Sequence, residues 1–300
     1  MFKFLLIFGI ILVLCAIFPC VGCVAFNPHF TTFYGFKDIY KYFKYKEYNN
    51  APYGKIDCYC ALFGKGKTLS VVHELNKLYS KYNNKKIWDN ANKKWKIQKI
   101  NIISNVDMKI PYMPLTNLQE VVSTLEFTFD YNTNPDNPYY YVTYVLCDEA
   151  SVQFNSRNFK ANFSPAMLAK ILTCRHYRSS WYMTAQRFNQ IDALMRQNTQ
   201  HVYEVNKCWR LMSTRVYDAY ELENCTNPML VKPLKRSCWF VRNKDYEAYD
   251  TFAVVSNLLH DAKEGMMLSD EQILTLQNAN PDADTVTRTT RKARKRKFHK

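Results

Sequence analysis

Ala61-Leu62-Phe63-Gly64-Lys65-Gly66-Lys67-Thr68 follows the short run Ile56-Asp57-Cys58-Tyr59-Cys60 and precedes a stretch in which Leu69, Val72, Leu75 and Leu78 recur every three residues. The first run has the composition of a buried strand, and the last has the period of a helix with one buried face. Between them lies the spacing of a phosphate-binding loop: a small residue, four intervening positions, Gly-Lys, then a hydroxyl residue. Glycines let the backbone curl so that successive N–H groups face a polyphosphate, and the following helix presents its positive end to it. On this reading Ala61, Gly64, Lys65, Gly66, Lys67, Thr68 and Leu69 form the nucleotide-binding segment. Lys67 neutralises phosphate charge, and Thr68 offers a hydroxyl to Mg2+.

A nucleotide hydrolase needs a carboxylate at the end of a neighbouring buried strand, and commonly a second beside it to polarise water. Tyr139 to Cys147 is a continuous aromatic and β-branched run, and it ends in Asp148-Glu149. A further run, Ser180 to Ala185, ends at Gln186, where a polar group can sense a γ-phosphate. Pro165 to Leu172 reads as a helix, and Val202 to Val205 and Ser237 to Arg242 as further strands. The stretch Asn105 to Asn137, with prolines at 111, 114 and 135, allows a short helix near Leu118. Ser269 to Gln277 has a helix-start signature.

The length of 300 residues suits one large α/β domain with appendages, and 47% hydrophobic residues are enough for its core. The net charge of +15 is concentrated: Thr285 to Lys300 holds eight Lys/Arg and no acid. Six more lysines interleave with Trp88 and Trp95 between Lys85 and Lys99. Such a stretch either tracks a phosphate backbone and stacks bases or is a solvated loop with packed tryptophans. The basic tail suits nucleic acid, acidic coat proteins, anionic lipid or a nuclear address. Ten cysteines in a chain this long do not make a disulfide scaffold; Cys58, Cys60, Cys147 and Cys174 are expected in buried strands as small hydrophobes. Cys20 and Cys23 lie in an apolar segment without ligand partners, so no zinc site is assigned.

Phe4 to Phe26 is 23 residues without a charge, long enough for a transmembrane helix; a cleaved signal peptide is the competing reading. Only Lys3 precedes it, whereas Lys37, Lys41, Lys44 and Lys46 follow, which places the N-terminus outside and the bulk in the cytoplasm. Phe36, Tyr40 and Phe43 then repeat at helical spacing, as an amphipathic helix on headgroups or as an ordinary packed helix. The expected organisation is an anchor at 1–28, a juxtamembrane linker at 29–50, the nucleotide-binding domain at 51–265, and a short helix with basic tail at 266–300.

The order of motifs resembles the zonular occludens toxin-like family, the assembly ATPases of filamentous phages, within the HerA/FtsK group of P-loop ATPases. The resemblance rests on Gly64 to Thr68, on Ile103-Ser104-Asn105 and on Asp148-Glu149-Ala150 with Phe154 and Arg157 following. Arg175-His176, Thr184 with Gln186, and Ile191-Asp192 with Arg196 complete it, and it covers roughly residues 54 to 210. It implies a RecA-like α/β fold with a mainly parallel central sheet flanked by helices, and places Ala61, Cys147 and Thr184 at adjacent strand ends. It also implies ATP and Mg2+ as cofactors, Lys67 and Thr68 on phosphates and metal, Asp148 on the metal, Glu149 activating water and Gln186 sensing the γ-phosphate. Members act as homo-oligomeric rings in which an arginine completes the neighbouring site; Arg157, Arg175 and Arg196 stand open for that role. This chain departs from the family in putting its apolar segment first, an order closer to membrane-tethered DNA translocases and viral packaging ATPases. The implied activity is ATP-driven DNA movement in virus assembly, extrusion or packaging at the host inner membrane. A plasmid-transfer ATPase and a non-catalytic membrane scaffold for DNA or coat proteins are the alternatives. A small-molecule kinase lacks its Arg-rich lid.

Overall fold

The computed structural model describes residues 19–115, 118–150, 165–227 and 230–250. Two helices lead, α1 (Pro19–Phe26) and α2 (Pro28–Lys44), and strand β1 (Ile56–Cys60) runs into the phosphate-loop segment and helix α3 (Lys67–Tyr82). The chain continues through β2 (Lys86–Asp89), β3 (Lys94–Ser104), β4 (Met113–Pro114), α4 (Leu118–Thr133), β5 (Tyr139–Cys147) and α5 (Pro165–Leu172). It ends in β6 (Ser179–Ala185), α6 (Ala193–Asn198), β7 (His201–Cys208), β8 (Leu211–Asp218), α7 (Ala219–Asn224), β9 (Lys235–Phe240) and α8 (Asn243–Tyr246).

The nine strands of the described residues join one sheet in the order β2-β3-β5-β6-β1-β7-β8-β9, with β4 pairing beside β3. Strands β3, β5, β6, β1 and β7 are mutually parallel, while β2, β8 and β9 are antiparallel additions at the two sides. Parallel strands buried on both faces read as unbroken apolar runs, which is why β1 and β6 are buried at every position. One face carries α3, whose Leu69, Val72, Leu75 and Leu78 are all buried against Ile102, Tyr144 and Tyr182. The other carries α4 and α5, packing Val121, Leu125 and Ile171 onto Cys58, Val145 and Trp181. The fold is therefore mixed α/β with a mostly parallel central sheet, as expected.

Two details differ from expectation. Cys174 is buried but lies in the turn after α5, where burial comes from packing against the sheet rather than from membership of it. The helix near Leu118 runs for sixteen residues, because Val121, Val122 and Leu125 find a place in the core. The 23-residue apolar segment falls mostly outside the described residues, as does the helix expected at Ser269 to Gln277. Among the described residues, no helix is long and apolar enough to cross a membrane.

Candidate nucleotide-binding site

Strand β6 lies between β1 and β5, so three consecutive strand ends open on one edge of the sheet: Ala61 after β1, Gln186 after β6 and Asp148 after β5. Carboxyl ends of parallel strands are where open α/β sheets place ligands. The loop from Leu62 to Lys65 is exposed, and its backbone takes left-handed φ values at Gly64 (70°) and Gly66 (83°). At Gly66 the left-handed φ strains any side chain, and a β-carbon there would also press on the movable end of Met212 of β8, 2.8 Å from its Cε. Gly66 is also the N-cap of α3 and brings no side chain to the first-turn N–H groups. A sixteen-residue helix thus begins with open donors and its positive end facing the loop, an arrangement suited to phosphate. Lys67 Nζ reaches back to the Leu62 carbonyl at 3.4 Å.

Across the site, Asp148 is held by two hydroxyls. Thr68 Oγ1 donates to both carboxylate oxygens, at 3.0 and 3.1 Å, and Thr184 Oγ1 donates to Oδ1 at 2.6 Å. Thr184 in turn accepts from the backbone N–H of Glu149 at 2.9 Å, which fixes the start of the turn beyond β5. Asn105, at the end of β3, clamps the same turn: its Nδ2 donates to the Asp148 carbonyl at 3.0 Å and its Oδ1 accepts from the Asp148 N–H at 2.8 Å. Glu149 has φ of 52°, the left-handed region that a non-glycine residue adopts only when its surroundings impose it. That turn leaves Glu149 exposed while Asp148 stays half-buried.

Burial pushes the Asp148 carboxyl above its ordinary range; hydrogen bonds from Thr184 and Thr68 and the charge of Lys67 pull it part of the way back. A carboxylate in this state gains most from a cation. Among the described residues, no group of three or more His, Cys, Asp or Glu is placed to hold a metal. The protein offers a cation one hydroxyl, Thr68, and one carboxylate, Asp148, and the sparse oxygen set fits Mg2+ completed by phosphate oxygens and water. The open helix end, the curled glycines and this oxygen pair together fit a magnesium nucleotide.

The expected site residues are thus brought together, with Gln186 half-buried one residue beyond β6. The arginines are not gathered there. Arg175 packs against Gly54 at the start of β1, on the opposite edge of the sheet. Arg196 is committed within its own subunit, to the carbonyls of Ile191 (2.8 Å) and Asn189 (3.1 Å) and to Glu223 (3.3 Å). Arg157 lies outside the described residues. Sequence reasoning gave no role to Thr184 or Asn105, although both stood in the motif-bearing segments; a hydroxyl near a strand end and an Asn just past one were the available signals.

Among solved structures, the chain is similar to the N-terminal domain of zonular occludens toxin from Neisseria meningitidis. Identity is 16% and the TM-score 0.41, covering 66% of this chain and 100% of that one. It is also similar to the genome-packaging NTPase B204 of Sulfolobus turreted icosahedral virus 2 bound to ATP-γS, at 11% identity and a TM-score of 0.36, covering 63% and 98% of the two chains. No family model and no curated relative matches the chain.

Proposed function

We propose that the chain is a membrane-anchored ATP hydrolase that couples hydrolysis to DNA movement in virus assembly, extrusion or genome packaging. The observation that carries the hydrolase reading is the meeting of Thr68, Asp148 and Thr184 in one hydrogen-bonded cluster at the mouth of a glycine-curled loop. Lys67 and the first-turn N–H groups of α3 would hold the phosphates, and Thr68 and Asp148 the magnesium shell. An ion held there would neutralise phosphate charge and position the reacting group. Glu149, held by its turn at the rim and exposed, is the base for an attacking water. Gln186, one residue past the strand between loop and acids, senses the γ-phosphate. The motif resemblance supports a homo-oligomeric ring with an arginine from the neighbour, and the run Phe4 to Phe26 with lysines behind it supports an inner-membrane anchor with the N-terminus outside. The concentrated basic tail supports nucleic acid as cargo.

ATP turnover by the full chain, with and without DNA, tests the reading alongside Lys67→Ala and Glu149→Gln. DNA-stimulated turnover lost in both variants is expected, with nucleotide binding kept in Glu149→Gln. DNA binding without any turnover in the unaltered chain overturns the motor and leaves the scaffold.

A further inference from the structure

Helix α2 contributes no buried residue to the fold. Phe33, Phe36, Ile39, Tyr40 and Phe43 follow the three- and four-residue spacing of one helical stripe, and all five are exposed, Phe36 by 74% and Phe43 by 65%. A seventeen-residue helix rich in aromatics is marginal in water without tertiary packing, so this stripe calls for a covering phase. Lys37, Lys41 and Lys44 sit along one border of the stripe, against a single acid, Asp38, within the helix.

The C-terminal end of α2 is fastened to a second basic and aromatic element. Tyr45 stacks on Trp88 of β2, with ring centroids 4.9 Å apart, and Trp88 meets Trp95 of β3 edge-on at 5.4 Å. Asn49 Nδ2 donates to the Lys86 carbonyl at 3.2 Å. The β2–β3 hairpin presents Lys85, Lys86 and Lys93 to solvent, with Lys86 on the face of the half-exposed Trp95, whereas Lys94 lies on the other face and pairs with Asp136 at 3.6 Å. Two separate stretches of sequence thus meet at Tyr45 and Trp88, an apolar stripe with a lysine border leading to a pair of tryptophans.

We infer that this joint surface of α2 and the β2–β3 hairpin lies on an anionic phospholipid headgroup layer. Lipid is favoured over nucleic acid because the stripe is apolar along a length of about 25 Å, with its cations at the border; a helix lying in an interface has that arrangement. The uncharged run Phe4 to Phe26 ends just before α2 and would deliver the helix to a bilayer surface. The inference rests on the membrane part of the proposed function and is independent of hydrolysis.

Amide hydrogen exchange on the full chain in nanodiscs of phosphatidylcholine, with or without phosphatidylglycerol, tests it. Slower exchange at residues 28–44 and 85–95 is expected in the anionic discs, on the order of tenfold relative to neutral ones. The pair Phe36→Asp and Phe43→Asp removes that protection while nucleotide binding persists. Replacing Lys37, Lys41 and Lys44 by Gln abolishes the roughly tenfold difference between anionic and neutral discs. Equal exchange in the two disc types overturns the inference, as does protection of both segments by added duplex DNA in place of lipid. Failure of the anchor itself is separately visible, as release of the chain from discs under an alkaline wash. Loss of turnover would touch only the hydrolase.

Discussion

Asp148 and Asp89 are both carboxylates drawn into the protein at strand ends, yet they are held in opposite ways. Asp89 pairs with Lys96 at 3.2 Å, with both side chains at most 3% exposed, and also accepts from Asn92 Nδ2 at 2.8 Å and the Ala91 N–H at 3.1 Å. Burial works to raise its carboxyl, but these hydrogen bonds and the Lys96 charge prevail and hold it below the ordinary range. Asp148 takes hydrogen bonds from neutral donors, the Thr68 and Thr184 hydroxyls and the Glu149 backbone N–H, and burial prevails over them and over the charge of Lys67. A buried acid with its own cation belongs to the architecture. One held by neutral donors, beside an open helix end, is suited to a cation that arrives with a ligand.

The comparison is broken most severely by removing what each acid needs. Glu149→Gln takes away the proposed base beside Asp148 and is expected to lower turnover by about 10²- to 10⁴-fold with the fold intact, read as single-turnover hydrolysis. Lys96→Met strands Asp89 and two carbonyls, those of Asn132 and Asn134, that accept from the same ammonium. A loss of about 3–5 kcal/mol in urea unfolding is expected, with much of it recovered when Asp89→Leu is added. By contrast, Asp148→Asn leaves urea stability at pH 7 unchanged or raised while magnesium-dependent nucleotide binding is lost. A large destabilisation would erase the distinction between the two acids. Thr184→Val keeps side-chain shape but deprives Asp148 of a donor and the Glu149 N–H of its acceptor. The expected cost is about 1–2 kcal/mol in stability, with a fall in turnover of roughly tenfold.

The smallest effect lies in pH. Asp148, raised in the fold, stabilises most fully below the ordinary carboxylate pKa, and this contribution is lost as pH rises through its folded value. Asp89, lowered in the fold, contributes above the ordinary carboxylate range and loses that contribution as pH falls through its folded value. Unfolding curves of Asp148→Asn and Asp89→Asn against the unaltered chain are therefore expected to diverge in opposite directions. Magnesium-nucleotide affinity should fall on acidification through the raised Asp148 value, and a flat profile would remove Asp148 from the metal.

Much of the frame was legible because buried parallel strands carry their own signal. Tyr139 to Cys147 was bounded at both ends by its composition, and Asp148-Glu149 followed it without a gap. Pro165 to Leu172 was marked as a helix by its proline start. Lys96 was not legible as a core residue: amid five other lysines it looks solvated, and only the fold brings Asp89 and the end of α4 around it. The turn at Cys174 escaped for a related reason, since burial of a cysteine says nothing about the backbone beneath it. In the site, the glycines, Lys67 and the acid pair declare their chemistry by type and spacing. Thr184 and Asn105 act through hydrogen bonds across strands whose order no local pattern reveals.

That order also sets a length. With β6 standing between β1 and β5, the glycine-curled loop and Asp148 are separated by two inter-strand steps, about 10 Å of hydrogen-bonded main chain. A ruler made of peptide groups does not change when side chains do. Surface loops, edge strands and terminal extensions can drift while the span between that loop and Asp148 keeps its width.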